Sequence, residues 1–505
     1  MKLFVKKSLE QLMATPEEGA STLKRTLGAG NLIALGIGAI IGAGLFVRTA
    51  AAAGAHAGSA VTISFIIAAV GCAFAGLCYA EFASIIPIAG SAYTYAYATM
   101  GEIVAWIIGW ALILEYALGA ATVSISWSEY ANNLLGHRIP FEWCHSPMER
   151  AIIDGVSHHG IINLPALVIL LLLSALLIKG TQESATVNAV IVFIKVAIVL
   201  VFIAIGWQFI NPANHTPYMI PANAPPAILP DGTSYSYLPF FNHGWGGVLT
   251  GAGIVFFAFI GFDAVSTAAQ EAKNPKRDMP IGILGSLVVC TILYILFSWV
   301  LTGVAPYQDF MRAGKEASVA YAISHYMQHY AWLSTLVTVA ILAGFSSVIL
   351  VMLLGQSRVF YTMSTDGLLP KVFSDLHPKF STPYKSNMIL FIFVGLFAAF
   401  LPASVAGDLT SIGTLFAFVL VCIGVMLLRK TDPNLVRPFK TPLVPLVPIL
   451  GILICAAMIL SLPLETQISA LVWMLIGLLI YFGYSRKHSK LGNLGDILPK
   501  ASDFQ

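Results

Sequence analysis

Three ionisable residues stand inside long apolar runs: Glu115 in Leu112-Ile113-Leu114-Glu115-Tyr116, Lys195 in Val192-Phe193-Ile194-Lys195-Val196-Ala197, and Asp263 just after Gly261-Phe262. A charge at the middle of a bilayer costs ~2.5–3.5 kcal/mol or more, so such groups are functional candidates by default. Lys195 lies about halfway along its run, too deep to reach water easily. An amine taken out of water holds its proton less tightly, which makes Lys195 a candidate for proton exchange. The alternative is a standing ion pair with Glu115 or Asp263. Asp263 can cap the N–H groups of a following helical turn or touch a solute. Glu81 and Glu129 fall near the ends of their runs and read as interfacial.

Two glycine-interrupted segments lie in comparable places. Gly36-Ile37-Gly38-Ala39-Ile40-Ile41-Gly42-Ala43-Gly44-Leu45-Phe46 carries four glycines where a membrane helix should be continuous. Gly251-Ala252-Gly253-Ile254-Val255-Phe256-Phe257-Ala258-Phe259-Ile260-Gly261-Phe262-Asp263 opens the second half in the same manner. Paired interrupted spans in corresponding positions point to a secondary transporter's solute site, because unwinding frees backbone groups near the midplane. A half-helix beginning at Gly42-Ala43-Gly44 presents unpaired N–H groups and the positive end of its dipole, which suits a carboxylate. Gly38 and Gly42 also have the spacing of close helix packing, a purely structural alternative. In the second segment, freed carbonyls near Phe257, Ala258 and Ile260 can face an ammonium group, and Phe257 can close over a solute or simply pack.

These elements belong to a chain of 505 residues, 58% hydrophobic and 10% charged, against about 25% charged in an average soluble domain. Runs of the ~20 residues needed to cross hydrocarbon recur near 29–52, 58–84, 98–131, 162–179, 184–207, 246–269, 281–303, 331–361, 387–401, 406–428, 444–462 and 467–485. The expectation is an all-α integral membrane protein with 12 transmembrane helices. Its parts are a tail over 1–28, a first repeat over 29–207, an external loop over 208–245, a second repeat over 246–428, two peripheral helices over 429–485 and a tail over 486–505. The third and eighth runs are longer than a straight crossing needs, which predicts tilt or extension beyond the interface. Pro87 through Tyr93 is a breaker cluster expected to make a re-entrant or interfacial turn. With both tails in the cytoplasm, 21 of the 27 Lys and Arg fall inside, as positive-inside bias requires.

Several functions are excluded. The net charge of +3 is spread over loops in register with the spans, so nucleic acid is not an expected partner. Five of the six cysteines sit in apolar runs and Cys144 alone lies in a loop; neither disulfides nor a metal site is expected. His158-His159 and the other histidines have no ligand spacing. There is no Walker loop, HExxH pair or nucleophile elbow, so neither an enzyme nor a cofactor is expected. Without a nucleotide-binding segment, transport is driven by an ion gradient or by exchange. A sensor with a large output segment and a channel with a continuous polar stripe both lack their signatures.

The Gly36 to Phe46 segment, Glu81-Phe82-Ala83 with Pro87 through Tyr93, and Phe256 through Thr267 running into Glu271 through Pro280 resemble the amino acid–polyamine–organocation permeases. So does Gly355-Gln356-Ser357-Arg358 through Asp366-Gly367-Leu368-Leu369-Pro370. More narrowly, the chain resembles the bacterial branch related to cationic amino acid transporters, over about residues 20 to 485. The resemblance implies a five-plus-five inverted repeat with broken helices 1 and 6, two extra helices, alternating access and transport of amino acids. It implies that Gly42, Ala43 and Gly44 hold the substrate α-carboxylate, with Ile41 beside them in the substrate site, and that carbonyls of Phe257, Ala258 and Ile260 receive the α-amino group. Glu115, Asp263, Phe345 and Ser346 would complete the substrate site. A small or medium neutral side chain is expected beside Phe345-Ser346-Ser347, with Glu115 leaving a cationic one open. Lys195 matches the span-five lysine of proton-coupled relatives, favouring H+ over Na+. The partners so implied are an amino acid, protons and the lipid of the cell membrane; the oligomeric state is left open, a monomer included. Animal cationic transporters have fourteen spans, so their specificity and regulation do not carry over.

Overall fold

In the computed structural model, which describes residues 4–7, 27–86, 91–180, 185–312, 318–380 and 382–491, the apolar runs are helices joined by polar turns. In hydrocarbon each backbone N–H and C=O must be paired within its own segment, and a helix achieves this without leaving an edge. In chain order the longer helices are α1 (Ala29–Ile40), α2 (Val61–Ile85), α3 (Ser91–Thr99), α4 (Glu102–Leu134), α5 (Leu164–Ile178) and α6 (Ala185–Gly206). They continue as α7 (Gly244–Val255), α8 (Pro275–Val304), α9 (Ala331–Thr365), α10 (Tyr384–Phe400), α11 (Ala403–Thr431), α12 (Leu446–Ser461) and α13 (Leu464–Ile480). Among the described residues, 7 helical segments are long and apolar enough to cross a membrane by length and composition, with five shorter apolar helices of 10–17 residues between them. The chain is a multi-pass membrane protein. The third and eighth runs are indeed long, at 33 residues for α4 and 35 for α9. At ~1.5 Å per residue each outreaches ~30 Å of hydrocarbon.

The chain is mostly helical, as an all-α membrane protein should be, and its long connections carry a little strand. Two small antiparallel hairpins stand in the long connections: β1 (Arg150–Ile153) with β2 (Val156–His159), and β3 (Ala227–Ile228) with β4 (Ser234–Tyr235). The first turns on Asp154 and Gly155, both at positive φ, as a two-residue hairpin requires. The Ile152 N–H donates to the Pro230 carbonyl at 2.9 Å, so the two connections are stitched to each other. The breaker residues 87–90 lie outside the described residues, as do 8–26 and everything after 491; α3 begins directly afterwards at Ser91.

Close packing sets where α1 lies. A Cβ on Gly36 would sit 2.5 Å from Ser286 Oγ, and one on Gly282 would sit 2.7 Å from Leu32 Cβ, so α1 and α8 meet through glycines. Just before α1, the Leu27 N–H donates to the Glu271 carbonyl at 3.0 Å and the Lys273 N–H donates to the Leu27 carbonyl at 2.8 Å. Glu81, read as interfacial, is instead the centre of a buried clamp. Its carboxylate takes two hydrogen bonds from Arg429, at 2.9 and 2.8 Å, and one from the Thr441 N–H at 2.7 Å, with Arg437 Nε 3.3 Å away. The end of α2 is thereby tied to the segment that links α11 to α12.

Candidate functional site at two helix breaks

At Ile41 the chain leaves helical geometry, with φ −73° and ψ 106°, and a wide helical turn resumes over Gly44–Arg48. The Ile41 N–H still reaches back to Ile37 at 2.9 Å, and Leu45 and Phe46 both point to the Gly42 carbonyl, at 3.2 and 3.4 Å. Between them the N–H groups of Gly42, Ala43 and Gly44 find no acceptor among the described residues. Three adjacent donors at the start of a helical segment, all buried, form a cradle for an anion. The glycines have distinct reasons. A Cβ on Gly44 would fall 2.2 Å from Ala258 Cα, so Gly44 is where the two breaks touch; a Cβ on Gly42 would meet only the Val348 side chain, at 3.2 Å.

The second break follows α7. A tight turn over Phe256–Phe259 leads into Ile260, which is extended, and Gly261, at φ +114°, before a short helical turn over Ala264–Thr267. Gly261 is needed on two counts: the left-handed φ, and a Cβ position 2.9 Å from the Ala39 carbonyl oxygen. The Phe257 carbonyl accepts from the Ile260 N–H at 3.3 Å, whereas the Ile260 carbonyl has no donor among the described residues. Tyr294, from α8, sets its hydroxyl 3.0 Å from the Ile40 carbonyl and 2.9 Å from the Ala258 carbonyl. One hydroxyl therefore spans both breaks. Tyr294 has no local mark in the sequence, since a tyrosine in an apolar helix is ordinary there.

The ionisable residues divide into two groups. Lys195 is 2% exposed, and its Nζ donates to the Gly38 carbonyl at 2.7 Å, one turn before the first break; its Cε lies 3.0 Å from where Gly344 would carry a Cβ. It thus joins α6, α1 and α9. Glu115 and Asp263 are likewise buried. Asp263 Oδ2 is 3.3 Å from the Tyr116 hydroxyl and 3.5 Å from the Ser91 hydroxyl, and it makes no side-chain cap of the turn that follows. Neither carboxylate oxygen of Glu115 has a hydrogen-bond partner among the described residues; the nearby Thr414 hydroxyl donates instead to Thr410, at 3.0 Å. Gln356, from the Gly355–Arg358 motif, is fully buried and neither of its amide atoms has a partner among the described residues; the neighbouring Gly355 packs against the Tyr116 ring.

Phe345 is fully buried, with its ring 6.3 Å from Phe46 and 5.7 Å from Tyr130, centroid to centroid. Ser346 spends its hydroxyl on the Leu342 carbonyl at 2.9 Å, whereas Ser347 Oγ is buried without a partner. Phe257 is 5% exposed. Beyond the cradle, Arg48 pairs with Asp408 of α11 in a contact that is almost wholly buried. Asp408, near the start of its apolar run, had not stood out in the sequence, and it links the segment after the first break to α11. In the long connections, the His158 ring 2.7 Å from Glu142 holds that carboxyl below its usual range, and burial pushes the Cys144 thiol up to about 12.

A family model described as amino acid permease matches residues 27–486. The chain is 44% identical to the branched-chain amino acid permease BcaP of Bacillus subtilis (strain 168), over 97% of this chain and 99% of the relative. It is 41% identical to a methylthioribose transporter of the same organism, again over 97% and 99%. Similarity extends to a vacuolar cationic amino acid transporter of Arabidopsis thaliana, 34% identical over 86% of this chain and 68% of the relative.

Proposed function

The chain belongs to the amino acid permease family, and from that membership we propose that it is a proton-coupled carrier that takes up L-amino acids by alternating access. The reading places twelve spans in the cell membrane as a five-plus-five inverted repeat plus two peripheral helices, with both termini in the cytoplasm. The observation that carries it is the cradle of three N–H groups at Gly42, Ala43 and Gly44 that lack acceptors among the described residues, beside a second break whose Ile260 carbonyl lacks a donor among them. Donors for a carboxylate beside an acceptor for an ammonium match the part that all amino acids share, and both sit where water is excluded and such bonds are strong. Lys195, bonded to the carbonyl of Gly38, is the proton-coupling group: charged, it braces the first break; neutral, it releases it.

The side-chain pocket is read as apolar, bounded by Phe257, Phe345 and Val348, which suits a neutral branched side chain of the kind named for the Bacillus permease. The unpartnered Glu115 carboxylate favours a second reading, a cationic side chain. Methylthioribose, named for another relative, has no α-amino acid group to fill the cradle and serves as the negative control. The test is competition in proteoliposomes under an imposed pH gradient, with radiolabelled leucine as tracer and alanine, valine, lysine and methylthioribose as competitors. Saturable, gradient-dependent accumulation displaced by valine supports the reading, whereas displacement by methylthioribose alone rejects it. Glu115→Gln then separates the two readings: a selective loss for lysine assigns Glu115 to the side chain, and equal losses for alanine and lysine assign it to proton handling or structure.

A further inference from the structure

A groove of about 950 Å³ opens on the outer face of the helices, lined by Ile33 of α1, by Ile281, Leu284 and Val288 of α8, and by Phe439 from the segment after α11. That is within the ~300–1,000 Å³ range of small-molecule sites. Its wall is apolar, with Ile281 and Val288 exposed, but Lys276 and Arg277 stand at one end. Lys273 and Lys440 adjoin the lining residues Asn274 and Phe439 in sequence, and all four cations are exposed. None of the four has an ion-pair partner among the described residues. Of the acids nearest in sequence, Glu271 makes no ion pair with Lys273 among the described residues, and Asp278 is buried and turns its carboxylate to the Asn274 N–H at 3.1 Å. Cations without counter-charge beside an apolar trough match a molecule that is anionic at one end and hydrocarbon at the other.

We propose that this groove binds one anionic phospholipid of the cytoplasmic leaflet, with the headgroup phosphate on Lys276 and Arg277 and an acyl chain along Ile281, Leu284 and Val288. The choice of leaflet rests on the orientation proposed above, which puts the start of α8 in the cytoplasm, where anionic lipids draw basic residues. The site has a functional address. A Cβ on Gly285 would lie 3.0 Å from Ile33, so a lipid in the groove bears on the contact between α1 and α8 and holds the half-helix that precedes the first break.

The test is native mass spectrometry of the full-length protein in detergent with added phosphatidylglycerol or phosphatidylcholine, a readout that requires neither transport nor orientation. Wild type should retain phosphatidylglycerol in preference to phosphatidylcholine, with retention weakening at high salt. Lys276→Gln with Arg277→Gln should lower phosphatidylglycerol retention roughly thirtyfold and leave phosphatidylcholine unchanged; both positions are exposed, so the fold is kept. Val288→Trp, which fills the trough from an exposed position, should lower retention with the cations intact. Equal retention of the two lipids by wild type, or unchanged phosphatidylglycerol retention in the double variant, overturns the proposal.

Discussion

At the scale of single residues the two cradle glycines should behave differently. Gly44→Ala forces a Cβ to within 2.2 Å of Ala258 Cα, a backbone contact that cannot give, and overpacking of this kind costs about 1–3 kcal/mol or more. Its melting temperature should fall with or without substrate. Gly42→Ala meets only a side chain at 3.2 Å, so it should stay folded and lose chiefly the shift in melting temperature that leucine produces in wild type. Equal melting temperatures for the two apo variants would contradict the assigned contacts. Lys195→Ala should abolish accumulation driven by an inward proton gradient while binding survives in weakened form, because the Gly38 carbonyl loses its donor. Uptake with and without the gradient checks this, and accumulation that still follows the gradient passes the proton role to Glu115. Lys195, Glu115 and Asp263 were legible because a charge in an apolar run is costly, whereas the run alone leaves open whether each pairs, caps or exchanges a proton. Tyr294 was not, since its role comes from two carbonyls 218 residues apart in sequence, at Ile40 and Ala258.

At the scale of elements the helix breaks were visible in the glycine spacing, and the chain leaves helical geometry at Ile41 and again from Ile260. Their mutual contact was hidden, because which glycine touches which turn depends on tertiary packing. The hairpin at Asp154-Gly155 carried its own local signal, a two-residue turn between strand-forming residues, which the dominant helical pattern overshadowed. The buried Arg48–Asp408 pair tests how the elements beyond the cradle are held. Removing one partner of a buried pair strands the other, so Arg48→Met should destabilise by about 3–5 kcal/mol, whereas Arg48→Met with Asp408→Leu should recover most of the loss. Thermal unfolding of the three proteins in detergent provides the measurement. If the double variant melts no higher than the single one, the pair is not the principal link between the Gly44–Arg48 turn and α11.

At the scale of the whole molecule, the expected orientation rests on charge, because Lys and Arg are retained on one side of a membrane during insertion. All six native cysteines are buried, so added cysteines report cleanly. Lys379→Cys, between α9 and α10, should resist a membrane-impermeant maleimide in intact cells, and Asn223→Cys, in the connection before α7, should label; the reverse pattern would invert the topology. What charge could not reveal is how the halves are yoked. Leu27 exchanges backbone hydrogen bonds with both Glu271 and Lys273, so the residue before α1 is splinted to the stretch beyond the second break. An arm pinned there cannot swing alone. In the alternating-access cycle proposed above, the first half of the first broken helix and the last part of the second would therefore have to travel as one shutter leaf, and a single hinge failure at either break would jam both.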